Sequence, residues 1–185
     1  MKNLKISIFV TTFCLLLTGA LTATRADDKP GKVPTSHYVD FTKHIEMDIP
    51  LSWERKFSED EAMRFVFTTG GKAAAGAQPP EFTIMITGPD AKDESLKSAV
   101  NLAAAAKKRT PDVKFDKEKE LKVDGESALS FTGSGKTKAG TAKLLDVVTI
   151  HAGMGYAVSF ACDPAIFDSE VKGAQPVIDS IKWNK

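Results

Sequence analysis

The sequence predicts an α+β domain: an antiparallel β-sheet of about six to eight strands with helices on its faces, the last near the C-terminus. Three observations carry this. Short runs such as Ile45–Ile49 and Phe82–Thr87 alternate apolar and polar residues with a period of two, as half-buried strands do. One long segment, from Leu96 to Ala106, carries its small apolar residues at helical spacing. From Asp116 to Cys162, strand-like runs follow one another with only turn residues between them, which is the pattern of a meander.

In chain order, Ile45, Met47 and Ile49 share one strand face, Glu46 and Asp48 the other, and Pro50 ends the run. RFVFT at 64–68 is a second strand. GGKAAAGAQPP at 70–80 has no large side chain to anchor it and reads as a mobile hairpin loop. Phe82, Ile84 and Ile86 then face inward on the returning strand. The helix that follows has Asp90 or Asp93 as its cap, and Leu96, Ala99, Val100, Ala103 and Ala106 as its buried face. Lys107, Lys108 and Arg109 lie at the negative end of its dipole, and Pro111 stops it.

Strand 118–123 meets Asp124-Gly125, a two-residue hairpin signal, and strand 127–132 returns from it. Gly133, Gly135 and Gly140 make the next connection a loose, basic hairpin tip. AKLLDVVTIH at 142–151 is apolar on both faces and so belongs in the middle of the sheet. After the turn at 152–155, Tyr156, Val158 and Phe160 share one face. Ala157, Ser159 and Ala161 share the other, where a helix can sit. Asp163-Pro164 opens a helix near 164–172, and Gly173 and Pro176 separate it from another near 176–181.

The N-terminus has the organisation of a secretory signal: Lys2 and Lys5, an apolar run from Ile6 to Leu21, and small residues ending in Ala26. Cleavage is expected after Ala26, with Ala23 as the alternative. This divides the chain into a signal peptide at 1–26, a flexible linker at 27–36 and a single domain at 37–185, in the periplasm or outside the cell. The apolar run is short for a membrane span and no second one follows it, so an integral membrane protein is not expected. The remaining 159 residues carry 22 basic and 24 acidic side chains. That near-neutral balance gives no charge asymmetry to suggest nucleic acid or an anionic membrane as partner. Cys162 is then the only cysteine and cannot form an internal disulfide. It ends an apolar strand and is read as a small buried core residue rather than a reactive thiol.

Two motifs invite chemistry. SFTGSGKTKAG at 130–140 contains Gly135-Lys136-Thr137, which matches the end of a phosphate loop. However, Ser130 stands where the motif needs its first glycine, and a strand rather than a helix follows Thr137. No nucleotide is expected. His44-Ile-Glu-Met47 and His151-Ala-Gly-Met154 are both H-x-x-M, and imidazole with thioether suits copper. His44, Met47, His151 and Met154 are therefore the candidate metal ligands of an alternative reading. Residues 44 and 47 of a regular strand point to opposite faces, which counts against it. No serine sits in a nucleophile elbow, and a Cys162–His151 pair has no flanking pattern to support it, so no catalytic residue is assigned and no enzyme is expected.

Tyr38 to Trp53, read as Y-x-D-F-x(5)-M-D-I-P-L-S-W, resembles the opening of PsbP-like domains. Asp179-Ser-Ile-Lys-Trp183 resembles their closing strand after a terminal helix. The resemblance covers about 38–185. It implies an αβα sandwich around an antiparallel sheet and a non-catalytic protein that binds other proteins, the superfamily including photosystem II extrinsic proteins, a nuclear Ran-binding factor and exported bacterial proteins. It carries over no functional residue, since Pro50, Trp53 and Ile181 read as turn and core positions. The expectation is a monomeric exported accessory module with an unidentified protein partner and no cofactor. Glycine-rich segments 70–80 and 133–140 are its candidate contact regions, because loops often carry binding groups. A small-ligand or copper carrier is the alternative.

Overall fold

The computed structural model describes residues 33–56, 64–87 and 96–184. The segment read as a signal peptide, most of that read as a linker, and the expected helix caps Asp90 and Asp93 lie outside them. The described residues form a three-stranded and an eight-stranded sheet with two α-helices.

Strands β1 (Thr35–Asp40) and β2 (Ile45–Pro50) make an antiparallel hairpin, with Thr35 opposite Pro50 and Asp40 opposite Ile45. β1 thus begins two residues inside the segment read as linker. The link is a short 3-10 turn, Phe41–Lys43, capped by Asp40, whose carboxylate accepts from the Thr42 and Lys43 amides at 3.0 and 3.1 Å. His44, at φ 50°, closes the turn. Ile45, Met47 and Ile49 are buried as the alternation requires.

The large sheet contains β3 (Glu54–Lys56), β4 (Arg64–Thr68), β5 (Glu81–Thr87), β6 (Val113–Phe115), β7 (Lys119–Val123), β8 (Glu126–Thr137), β9 (Gly140–His151) and β10 (Met154–Cys162). Its order is β3-β4-β5-β10-β9-β8-β6, with β7 also on β8, and every pair is antiparallel. β9 is interior, as its two apolar faces predict.

β8 corrects the reading of the glycine-rich stretch. Gly133 and Gly135 are not in a loose tip but inside a strand of 12 residues, and only Lys138-Ala139 turns the chain. β7 pairs with the first half of β8 and β6 with the second. A Cβ at Gly135 would stand 2.1 Å from the Asp112 carbonyl oxygen, and one at Gly133 2.7 Å from the Val113 and Phe115 side chains. The glycines let a neighbouring strand approach; they do not loosen the chain.

Helix α1 (Leu96–Lys108) packs Ala99, Leu102 and Ala103 on Leu129, Phe131, Val148, Ile150 and Ala157. It covers the small-residue side of β10, as expected. The buried stripe is shifted from the expected one: Val100 is half exposed and Leu102 takes the contact. A stripe at 99, 102 and 103 is itself a complete i, i+3, i+4 face, and Val100 falls beside it.

Helix α2 (Phe167–Asp179) covers the opposite face. Phe167, Ala174, Val177 and Ile178 pack with Phe82, Ile84, Tyr156, Val158 and Phe160, and with Ile45, Met47 and Ile49 of β2. The expected break at Gly173 and Pro176 does not occur. The helix runs through both residues, because burial of Ala174, Val177 and Ile178 outweighs the hydrogen bond that Pro176 cannot donate. Asp163-Pro164 forms a turn ahead of the helix, which starts three residues later than predicted. β11 (Lys182–Trp183) then joins β2 as the third strand of the small sheet, completing an αβα arrangement.

Candidate functional site

The two glycine-rich segments meet at one end of the large sheet. β10 pairs with β9 only as far as Lys143, so the backbone groups of Thr141 have no strand partner on that side. Buried backbone groups must be satisfied, and residues 76–78 satisfy them. Gly76 accepts from the Thr141 amide, and the Gln78 amide donates to the Thr141 carbonyl, both at 3.0 Å. Thr137 Oγ1 donates to Gln78 Oε1 at 2.8 Å, and the Ala139 amide donates to Thr137 Oγ1 at 3.1 Å. Thr137 therefore ends a strand and ties a turn.

The same loop is held to the approach of α2. The Ala74 amide donates to Asp163 Oδ2 at 3.0 Å, the Ala165 amide to Asp163 Oδ1 at 2.9 Å, and Thr69 Oγ1 to Glu170 Oε2 at 3.2 Å. The two amides hold the Asp163 carboxyl below its ordinary range. Gly140, at φ 133°, lets the segments close: a Cβ there would lie 2.5 Å from the Gly76 carbonyl oxygen. The loop read as mobile and unanchored is therefore pinned by four hydrogen bonds at residues 74–78, with a fifth at Thr69 just ahead of it. The surface it shares with the β8–β9 turn exposes Lys72, Ala74, Ala75, Lys136, Lys138 and Ala139. It is basic, built of small residues, and fixed in shape.

The four H-x-x-M residues are only partly brought together. His151 and Met154 are direct cross-strand partners at the β9–β10 turn. His151 Nδ1 lies 3.3 Å from Glu126 Oε1, and its ring stacks on Trp183 with centroids 4.9 Å apart. His44 Nδ1 is 3.3 Å from the Asn184 carbonyl oxygen. Met47 is fully buried in the core that α2 covers.

Cys162 and His151 stand at opposite ends of the β9–β10 hairpin, eight residues or about 26 Å apart. Cys162 is fully buried, and its thiol is pushed up to about 11 by that burial and then by the Glu170 and Asp163 carboxylates. Tyr156 is likewise raised, to about 12, by burial; its hydroxyl donates to the Lys43 carbonyl at 2.8 Å.

One polar feature escaped the sequence reading. Thr83, Ser159 and Asp146 form a single cross-strand row on β5, β10 and β9, on the α1 side of the large sheet. Asp146 is buried, accepts from the Ser159 hydroxyl, and has its carboxyl pushed up to about 6 by desolvation. The available signal was a lone charge in LLDVVTI, a run apolar on both faces. Beside the row, Glu81 Oε1 accepts from Thr83 Oγ1 and Arg64, both at 3.2 Å.

No protein-family model and no curated protein matches the chain. Solved structures do. Cyanobacterial PsbP (CyanoP) from Synechocystis sp. PCC 6803 matches with a TM-score of 0.60 at 13% identity, over 84% of this chain and 95% of that one. The Ran-binding protein Mog1p of Saccharomyces cerevisiae matches with a TM-score of 0.55 at 10% identity, over 82% and 96%. LpqN of Mycobacterium tuberculosis, described as involved in cell envelope biogenesis, matches with a TM-score of 0.54 at 16% identity, over 84% and 88%. The chain has a PsbP-like fold. Among the described residues, no helix is long and apolar enough to cross a membrane.

Proposed function

We propose that this chain is an exported accessory protein that acts through protein contacts, without turnover. Residues 1–26 direct its export, and the domain that follows works in the periplasm or outside the cell. The observation that carries this reading is the pinned, basic end where residues 74–78 lie against the β8–β9 turn. A surface already fixed in shape loses little conformational entropy on binding. Its exposed lysines suit a partner with an acidic face. Support comes also from the fold, which in Mog1p belongs to a Ran-binding protein and in LpqN to one involved in cell envelope biogenesis.

The test is capture from periplasmic extract on the immobilised mature protein, with a metal scan of the same preparation. A specific partner retained by the wild type and lost by Lys136→Ala/Lys138→Ala is the expected result. A stoichiometric metal and no partner overturns the proposal.

The second reading, a copper carrier, rests on the register that sets Met154 opposite His151. Copper titration distinguishes it. Binding at micromolar copper that is lost in His151→Ala supports it, and no measurable affinity ends it.

A further inference from the structure

The free edges of the two sheets are not alike. β3 reads Glu-Arg-Lys, β6 carries Lys114, β7 is Lys-Glu-Leu-Lys-Val, and β11 is two residues long with Lys182 first. Lysine and short length are the usual defences of an edge strand against pairing with another chain. β1, the outer strand of the small sheet, has neither: Thr35–Asp40 is six residues long and contains no lysine, arginine or proline. Tyr38 faces inward, against Phe65 and Phe67. Thr35, His37 and Val39 face outward, and His37 is held by Asp48 at 2.9 Å and Glu46 at 3.5 Å on β2.

Among the described residues, three of the five exposed large apolar side chains sit at the two ends of this strand and a fourth, Val39, lies on it; the fifth, Val100, is on α1. Phe41, 76% exposed, follows its C-terminal end. Val33, 58% exposed, precedes its N-terminal end, where the Leu51 amide donates to the Pro34 carbonyl and brings Leu51, 65% exposed, alongside. From these placements we infer that two copies of the chain pair antiparallel along β1, about a two-fold axis at His37. That register sets each Phe41 against the Val33 end of the other copy and each Val39 against Thr35. An isologous contact needs such a self-complementary surface.

The chain's own N-terminus is a poor alternative occupant. After cleavage at Ala26 only DDKPGK precedes Val33, too short for a turn plus a strand that matches β1. An edge about 20 Å long buries less than the ~1,200 Å² of a standard stable interface, so the dimer is weak and depends on concentration.

Sedimentation equilibrium of the mature protein over a concentration series tests this, beside Val39→Lys and Phe41→Glu, with thermal melts to verify folding. The expected result is a dimer that grows with concentration and is weakened about tenfold or more by either substitution while the melts hold. If Val39→Lys fails to fold, Phe41→Glu at its more exposed site carries the comparison. A monomer at every concentration overturns the inference, as does a dimer that survives both substitutions. A dimer formed only by a chain beginning at Val33 also overturns it, since residues 27–32 would then be covering the edge. The outcome is separable from the proposed function: a monomer that still captures its partner overturns the pairing alone.

Discussion

Asp146 and Ser159 face each other across β9 and β10, and the serine hydroxyl is the only hydrogen-bond donor to this buried carboxylate among the described residues. Burial raises its pKa from 3.8 in the unfolded chain to about 6 in the fold. The folded state therefore holds the proton more tightly than the unfolded one. The stabilising contribution is complete below pH 4 and is lost as pH climbs to 6. Asp146→Asn keeps the acceptor for Ser159 and removes the charge. It should raise stability at pH 7 by about 2–3 kcal/mol and flatten the fall between pH 4 and 6. Urea melts at four pH values read this directly; equal stabilities of the two proteins at pH 7 would refute it.

Gly140 and Gly173 should respond in opposite senses. At Gly140 a methyl group meets the Gly76 carbonyl and a φ of 133°, so Gly140→Ala should cost about 2 kcal/mol or more. Gly173 lies inside α2 with nothing within 4 Å of its virtual Cβ, so Gly173→Ala should stabilise by about 0.5–1 kcal/mol. Parallel denaturant melts of the two variants decide the matter, and a loss in both would mean that α2 is not the continuous helix described.

Lys136 and Lys138 are exposed at the β8–β9 turn. Replacing both with alanine should move the melting temperature by no more than about 2 °C, as surface changes away from packed groups do. A larger drop would show that the lysines hold the fold. With folding intact, partner capture by the variant isolates the contribution of the basic end.

Asp124, at φ 45°, has a second task beyond its turn. Its carboxylate accepts from Lys182 Nζ at 2.8 Å and from the Trp183 amide at 3.0 Å, while Trp183 Nε1 donates to the Val123 carbonyl at 3.0 Å. Asp124→Ala should lower stability by about 1–2 kcal/mol and release β11, changing Trp183 fluorescence. Asp124→Asn should retain the turn and lose less. An unchanged emission spectrum in Asp124→Ala would count against the clasp.

The sequence was most readable where local pattern and tertiary environment agree. The alternation at Ile45–Ile49 and the Asp124-Gly125 turn, with φ 45° and 90°, are both found where predicted. It was least readable where a residue answers to a partner far along the chain. Gly133 and Gly135 look like loop residues until β6, some 20 positions earlier, lies against them. Gly173 and Pro176 look like breakers until the burial of three neighbours is counted. The anchoring of residues 74–78 depends on Thr141 and Asp163, which no local window contains. Asp146 is a lone acid in an apolar run, and no motif around it marks it as part of a buried polar row.

The thiol of Cys162 has a practical consequence for handling the protein. With no accessible surface, a pKa pushed up to about 11 and its proton turned toward the Asp163 carbonyl, it is almost entirely un-ionised at neutral pH, and thiolate is the species that attacks disulfides. Cys162 therefore does not commit the folded domain to covalent cross-linking. Self-association measured without reductant reports non-covalent contact, and a disulfide-linked species in an aged sample is a sign that the β10–α2 junction has opened.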